Sequence, residues 1–127
     1  MMLDIAATDR TPRVWFDASV GQMLISGESW PENVAIFYGQ ISQALTDYFA
    51  APAVALDVHI QLRYFNSGSA RALGDLMRQL DQGSAGQHRV NLIWHYDKGD
   101  DIGLEFAEDI SEQLRHVDVL IKEAEHG

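Results

Sequence analysis

The sequence predicts an α/β fold with the element order ββαβαβαβ and one mixed sheet. Two observations support this: the hydrophobic period switches repeatedly between two residues and about 3.6 residues, and turn-forming residues separate the segments. The strand-helix-strand units imply right-handed parallel crossovers, and a strand with one polar face predicts helices mainly on one side of the sheet. A length of 127 residues predicts a single domain spanning residues 1–127.

The first predicted elements are a hairpin and a helix. Two β-prone runs at 14–17 and 22–26 flank Gly21, which can take the positive φ that tight connections need. Ser29 and Glu32 then have the spacing of a capping box, which predicts the start of a helix. The apolar residues of this helix recur three and four apart at Val34, Phe37, Tyr38, Ile41, Leu45 and Tyr48.

The rest of the chain alternates strands with helices. A strand at 56–64 has the clearest period-two pattern, and a helix follows the sequence NSGS. HRVNLIWHYD predicts a strand, DKGDD a turn, and VDVLI the last strand. The acidic helix between them has an apolar stripe at Ile102, Phe106, Ile110 and Leu114. We predict one core that contains Leu56, Val58, Ile60, Leu62, Leu73, Met77, Leu80, Val90, Leu92 and Phe106.

Charge and composition narrow the functional classes. The formal net charge is −10, which disfavours nucleic acid and anionic lipid as partners. The sequence has no cysteine, so disulfides and thiolate chemistry are excluded. The N-terminal residues have no signal-peptide pattern and no apolar run is long enough for a membrane span, so we expect a cytoplasmic protein.

Motifs of catalysis are missing from the sequence. It contains no phosphate-binding Gly-rich loop, no His-Glu-x-x-His and no Gly-x-Ser-x-Gly. His59 and His95 fall on the polar phase of their strands and are expected to meet on the open face of the sheet, near Arg63. Because spacing places no third ligand or nucleophile there, solvated histidines are the preferred interpretation. We therefore predict a protein that is not an enzyme and holds no cofactor or metal.

The sequence NSGS, at residues 66–69, has two interpretations. Asn66 or Ser67 can cap the second helix by accepting a hydrogen bond from a free backbone N–H. A helix N-terminus also carries about half a positive charge and free N–H donors, which suit a phosphate. A hydroxyl at this point is therefore a candidate for phosphorylation that leaves its own helix folded.

Two blocks of the sequence resemble the SiaC family of bacterial regulatory phosphoproteins. They are FDASVGQMLISGESWPENVAIFY and LRYFNSGSARAL, and the resemblance continues through WHYD and LEFAED. Members of this family look like compact relatives of the anti-sigma factor antagonists, which implies a STAS-like domain. The family pattern has Thr-Ser-Ser or a similar sequence after the Asn, whereas this chain has Ser-Gly-Ser.

The resemblance implies partner switching. A Ser/Thr protein kinase would phosphorylate Ser67, with Ser69 as the second choice, and a PP2C-type phosphatase would remove the phosphate. The unmodified form would bind and activate a diguanylate cyclase, in cyclic di-GMP signalling and biofilm regulation. The implied partner-binding residues are Asn66, Gly68, Ser69, Arg71, Glu28, Glu32 and Asn33. The alternatives are a small anionic-ligand or nucleotide binder that uses the same helix N-terminus, and an enzyme built on His59, His95 and the acidic helix.

Overall fold

The computed structural model describes residues 2–52 and 55–124 and confirms the predicted α/β class. Its strands are β1 (Met2–Ile5), β2 (Arg13–Asp17), β3 (Gln22–Ser29), β4 (Leu56–Phe65), β5 (Val90–Tyr96) and β6 (Asp118–Glu123). Its helices are α1 (Val34–Ala50), α2 (Ser67–Ser84) and α3 (Asp101–Ser111). The order is βββαβαβαβ, so the chain has one N-terminal strand more than predicted.

The six strands form one mixed sheet in the order of the sequence, β1-β2-β3-β4-β5-β6. β1, β2 and β3 pair antiparallel, whereas β3, β4, β5 and β6 pair parallel. Each parallel crossover moves one strand further in the same direction. Because such crossovers are right-handed, α1, α2 and α3 all cover the same face of the sheet. The other face carries no helix among the described residues.

The core lies between the sheet and the three helices. Of the ten residues predicted to share it, nine are buried and belong to one continuous apolar cluster. The tenth, Phe106, is only partly buried because it packs at the edge of that cluster, against the rings of Phe65 and Trp94. The predicted stripe of α3 is wrong at its first residue, since Ile102 is exposed to solvent.

The capping box predicted at Ser29 and Glu32 is wrong. β3 stays paired with β4 as far as Ser29, which keeps the backbone extended there and buries the serine side chain. The N-cap of α1 is instead Asn33, whose side chain accepts a hydrogen bond from the N–H of Ile36 at 3.1 Å. Glu32 forms an exposed ion pair with Arg10.

Two predicted turns are confirmed. Gly21 has φ 66° in the connection between β2 and β3, and Gly99 has φ 87° in the DKGDD turn. Asp100 of that turn caps α3 by accepting a hydrogen bond from the N–H of Gly103 at 2.9 Å. Across 2–52 and 55–124, the structure contains no helix with the length and apolar composition that crossing a membrane requires.

Candidate functional site

The NSGS sequence forms the junction between β4 and α2, and Asn66 is its cap. Asn66 has extended backbone angles, φ −83° and ψ 177°. Its side chain accepts a hydrogen bond from the N–H of Ser69 at 2.9 Å, and its carbonyl accepts one from the N–H of Ala70 at 2.9 Å. The cap is therefore the asparagine, which leaves the Ser67 hydroxyl free of that role.

Ser67 is the first residue of α2, and its side chain is exposed. The N–H groups of Ser67 and Gly68 lie before the first intrahelical hydrogen bond, so they point toward the solvent at the positive end of the helix. An anion attached to the Ser67 hydroxyl would meet these donors. The geometry thus suits a phosphoserine at this position.

Ser69 has the opposite environment. Its side chain is fully buried, and its hydroxyl oxygen lies 2.9 Å from that of Ser29. The Ser29 hydroxyl also lies 2.6 Å from the phenol oxygen of Tyr38. Burial raises the pKa of Tyr38, while the hydrogen bonds with the two serines act in the opposite direction. Ser69 is thus part of a buried hydroxyl network, and a kinase would reach it only after the first turn of α2 had opened.

The N-terminus of α2 packs directly beside the N-terminus of α1. A Cβ atom added to Gly68 would lie 3.2 Å from a methyl carbon of Val34, the first residue of α1. Glycine at this position therefore permits the close approach of the two helices. As a result, the caps Asn33 and Asn66 lie at the same end of the helical layer, where both helix dipoles have their positive ends.

A groove of about 500 Å³ runs between α1 and α2 from this point. Its lining is mostly apolar and includes Val34, Tyr38, Gly39, Gly68, Ala72 and Leu76. Charged and polar groups mark its rim: Arg71 and Asp75 lie along α2, and Gln79 closes the far end. The side chain of Gln79 bridges the helices by accepting a hydrogen bond from the Ser42 hydroxyl at 2.9 Å. Ser67 immediately precedes the groove residue Gly68.

The structure brings together most of the predicted partner-binding residues. Asn66, Gly68 and Arg71 surround Ser67, and Asn33 lies at the adjoining start of α1. Glu28 is separate from the groove, because its side chain lies 3.7 Å from the Arg63 guanidinium at the end of the strands.

His59 and His95 meet on the open face of the sheet, as predicted. The Nδ1 atom of His59 lies 3.0 Å from the Nε2 atom of His95, and the rings stack with centroids 5.3 Å apart. Burial lowers the pKa of His95, and the charges of His59 and Lys122 lower it further. The residues described here include no group of three His, Cys, Asp or Glu side chains able to hold a metal ion. That the protein binds no metal stays a prediction.

Sequence reasoning missed two members of the site, Ser29 and Tyr38. The sequence predicts Ser29 as a helix cap and Tyr38 as an ordinary core residue. The available signal was chemical: a buried tyrosine hydroxyl needs a hydrogen-bond partner, and Ser29 lies at the end of the strand before Tyr38's helix. The contact with Ser69 had no sequence signal, since 40 residues separate it from Ser29.

Comparisons with known proteins identify the family of this chain. Residues 5–124 match the sequence profile described as SiaC family regulatory phosphoprotein. An uncharacterized protein of Pseudomonas aeruginosa strain UCBPP-PA14 is 31% identical over 110 residues, covering 87% of both chains. Crystal-structure matches at 28% identity include apo-SiaC of Pseudomonas aeruginosa, with a TM-score of 0.87 over 96% of this chain and 98% of that one.

A chain in the crystal structure of the diguanylate cyclase SiaD in complex with its activator SiaC, from the same organism, also matches. It has a TM-score of 0.88 at 28% identity and covers 96% of this chain and 99% of its own length. The profile match spans nearly all of the sequence, and both crystal structures match over almost their full length. The chain therefore belongs to the SiaC family of regulatory phosphoproteins.

Proposed function

We propose that this chain is a non-enzymatic regulator that binds and activates a diguanylate cyclase when Ser67 is unmodified and releases it when Ser67 is phosphorylated. The position of Ser67 carries the proposal: it is exposed at the N-terminus of α2, next to the apolar groove between α1 and α2. The solved complex of the relative SiaC with the cyclase SiaD supports the choice of partner. On this proposal the chain acts in the cytoplasm.

The groove provides the surface for the cyclase. Its apolar floor favours burial of apolar side chains, and the exposed Arg71 at its rim provides a charged contact. Arg71 makes no ion pair with any residue of the described ranges, so its guanidinium is available to a partner. A partner that covers the groove would also cover the first turn of α2, because Gly68 belongs to both.

Phosphorylation would change the charge of this surface and leave the fold intact. A phosphoserine adds about −1.5 to −2 charges, and the helix N-terminus stabilises an anion by about 0.3 to 1 kcal/mol. Arg71 lies four residues after Ser67 on the same side of the helix, so it can pair with the phosphate. A cyclase covering the turn would have to bury this dianion and would lose Arg71 as a contact.

A Ser/Thr protein kinase and a PP2C-type phosphatase would set the phosphorylation state. Ser67 suits both enzymes because its side chain is exposed. Ser69, the second choice, is fully buried and its hydroxyl is hydrogen-bonded to that of Ser29. It is therefore a poor phosphorylation site. We therefore narrow the phosphorylation site to Ser67.

The alternative of a small anionic ligand has weaker support. Its anion would use the same free N–H groups at Ser67 and Gly68. The adjoining groove, however, is mostly apolar, and Arg71 is the one cationic side chain in its lining. An anionic nucleotide would need more cationic and N–H donors than this lining provides, whereas a protein partner can bury apolar side chains against it.

The test compares the wild type, Ser67→Ala and Ser69→Ala after treatment with the cognate kinase. We expect phosphate on the wild type and on Ser69→Ala, and none on Ser67→Ala. The phosphorylated wild type should bind the cyclase at least roughly tenfold more weakly, with little change in melting temperature. Ser67→Ala should bind and activate the cyclase whether or not the kinase is present.

Ser19→Ala is the matched control, because Ser19 is an exposed serine far from the groove. It should take up phosphate and lose cyclase affinity like the wild type. The proposal is wrong if Ser67→Ala is still phosphorylated and inactivated. The proposed control of cyclase binding by phosphorylation is also wrong if the phosphorylated wild type binds the cyclase as well as the unmodified chain does.

A further inference from the structure

In residues 2–52 and 55–124, the sheet face opposite the helices carries no helix, and its side chains on β2 to β6 form three rows across the strands. The acidic row contains Asp17, Gln22, Asp57, Asn91 and Asp118, which are paired in register. The apolar row beside it contains Trp15, Leu24, His59, Ile93 and Leu120. The basic row contains Arg13, Ser26, Gln61, His95 and Lys122, with Gln61 and His95 next after the pair Ile60 and Trp94.

No helix of the part of the chain that the structure describes packs on the apolar row. Leu120 is 55% exposed, although residues of its size and type are usually buried. Trp15, Leu24 and Ile93 in the same row are half-buried, so with Leu120 they form a partly exposed apolar strip that is interrupted by His59. The carboxylate of Asp57 is held in place by the side-chain amides of Asn91 at 2.9 Å and Gln22 at 3.2 Å.

The charges of the open face complement the same face of a second copy. A two-fold axis along the apolar row turns one face onto the other and reverses the strands. It places the acidic row of each copy over the basic row of its partner. Asp118 then faces Lys122 of the second copy, and Asp17 faces Arg13 of the second copy, which also forms an ion pair with Asp4 of its own chain at 3.2 Å. A two-fold axis along the strands would instead stack the two acidic rows on each other, so the charges of the acidic and basic rows favour the first arrangement.

We propose that the open face is the interface of a homodimer, with the apolar rows of the two copies packed on each other. Two sheets that pack face to face keep their strands within about 30° of alignment, which the reversed strands of this arrangement satisfy. A contact of this kind uses the same surface on both copies, so the assembly is a closed dimer that adds no third copy.

A shallow hollow of about 320 Å³ beside Leu120 fits this arrangement. Asp57 and Asp118 contribute carboxylates to its lining. The two-fold axis brings Lys122 of the second copy over the β6 side of this hollow, opposite the Asp118 carboxylate. Within one chain the nearest cation to Asp118 is Arg89, at 3.9 Å and largely exposed.

The inference is independent of the proposed function. The helices, the groove and Ser67 belong to the other side of the sheet, so two cyclase-binding surfaces would remain accessible in the dimer. If the chain does not dimerise through this face, the proposed binding of the cyclase is unaffected. If the chain does not bind a cyclase, the proposed dimer is unaffected.

The experiment is a charge exchange on β6, an edge strand whose residues Asp118 and Lys122 are exposed. Sedimentation velocity is measured for the wild type, Asp118→Lys and Lys122→Asp, at about 0.15 M salt so that repulsion between the net charges is screened beyond about 8 Å. The wild type should reach a dimer with rising concentration. Each single variant places like charges opposite each other and should dimerise at least roughly tenfold more weakly.

An equimolar mixture of the two variants restores both opposite-charge pairs, so it should form a dimer as tight as the wild type. The double variant Asp118→Lys with Lys122→Asp should also dimerise. Glu112→Lys, an exposed change of the same charge on the helical side, is the control and should leave dimerisation unchanged. Circular dichroism confirms that each variant is folded.

Three outcomes would overturn the inference. One is a wild type that stays monomeric at the highest concentration it tolerates. Another is a wild-type dimer that both single variants leave intact, because the contact would then lie elsewhere. The last is a loss of dimer in both variants that their mixture does not restore, which would exclude the two-fold arrangement.

Discussion

The hydroxyl oxygens of Ser29 and Ser69 lie 2.9 Å apart in the interior, although 40 residues separate them in the sequence. Together with the Tyr38 hydroxyl they join the end of β3, the first turns of α1 and the start of α2. The inner side of the NSGS turn is therefore fixed by buried hydrogen bonds, while Ser67 on its outer side is exposed. This difference makes one serine structural and leaves the other available for modification.

Removing the Ser69 hydroxyl should destabilise the protein. We expect Ser69→Ala to lower the free energy of unfolding by about 1 to 2 kcal/mol, because Ser29 loses a buried hydrogen-bond partner. Ser67→Ala should change it by less than about 0.5 kcal/mol, since this side chain is exposed. Urea denaturation of both variants measures the difference, and equal stability of the two would contradict the buried network.

The cap at Asn66 gives a second prediction. Asn66→Ala should lower the free energy of unfolding by about 1 kcal/mol, because the N–H of Ser69 loses its acceptor. Asn66→Asp should keep most of the stability, since a carboxylate is an equally good cap and carries favourable charge at the helix N-terminus. Urea denaturation is again the measurement. An Asp variant as unstable as the Ala variant would exclude the capping role.

Burial of the leucines can be tested directly. Leu62 is 2% exposed and Leu76 is 3% exposed, so truncating either to Ala should lower the free energy of unfolding by about 2 to 5 kcal/mol. Ile36→Ala is the control, because Ile36 is 68% exposed on α1 and its loss should have little effect. The core assignment fails if the three variants unfold at the same urea concentration.

The histidine pair predicts a pH dependence. Burial, then the charges of His59 and Lys122, lower the pKa of His95, so the folded protein resists a proton that the unfolded chain accepts. The stability contributed by neutral His95 is complete above the ordinary histidine pKa of about 6.5 and is lost as the pH falls below it. In His95→Gln, the free energy of unfolding should therefore decrease less than in the wild type as the pH falls below about 6.5. Urea denaturation at a series of pH values measures this difference.

An NMR titration of the histidine rings provides the control. His95 should titrate at lower pH than a free histidine, and His59→Gln should raise its pKa because one neighbouring charge is removed. A His95 ring that titrates at the ordinary value would show that the pair has no effect on protonation.

The sequence was sufficient to predict the α/β class, the period of each main element and most of the core. This is because the spacing of apolar residues indicates which face of an element is buried. Asn66 and Ser67 could likewise be singled out, since residues of this type before an apolar helical pattern mark a helix N-terminus. β1 could not, because four residues are too few for a period, and its backbone is fixed by hydrogen bonds to β2.

The local sequence therefore determined the helices, the strands and the position of the candidate phosphorylation site, since propensity, period and capping act between near neighbours. Only the tertiary structure decided which hydroxyl is exposed. Pairing of β3 with β4 brings Ser29 to Ser69, and the approach of Val34 to Gly68 places the groove beside Ser67. These are contacts between residues 34 to 40 positions apart, and they form only when the sheet aligns the ends of its strands.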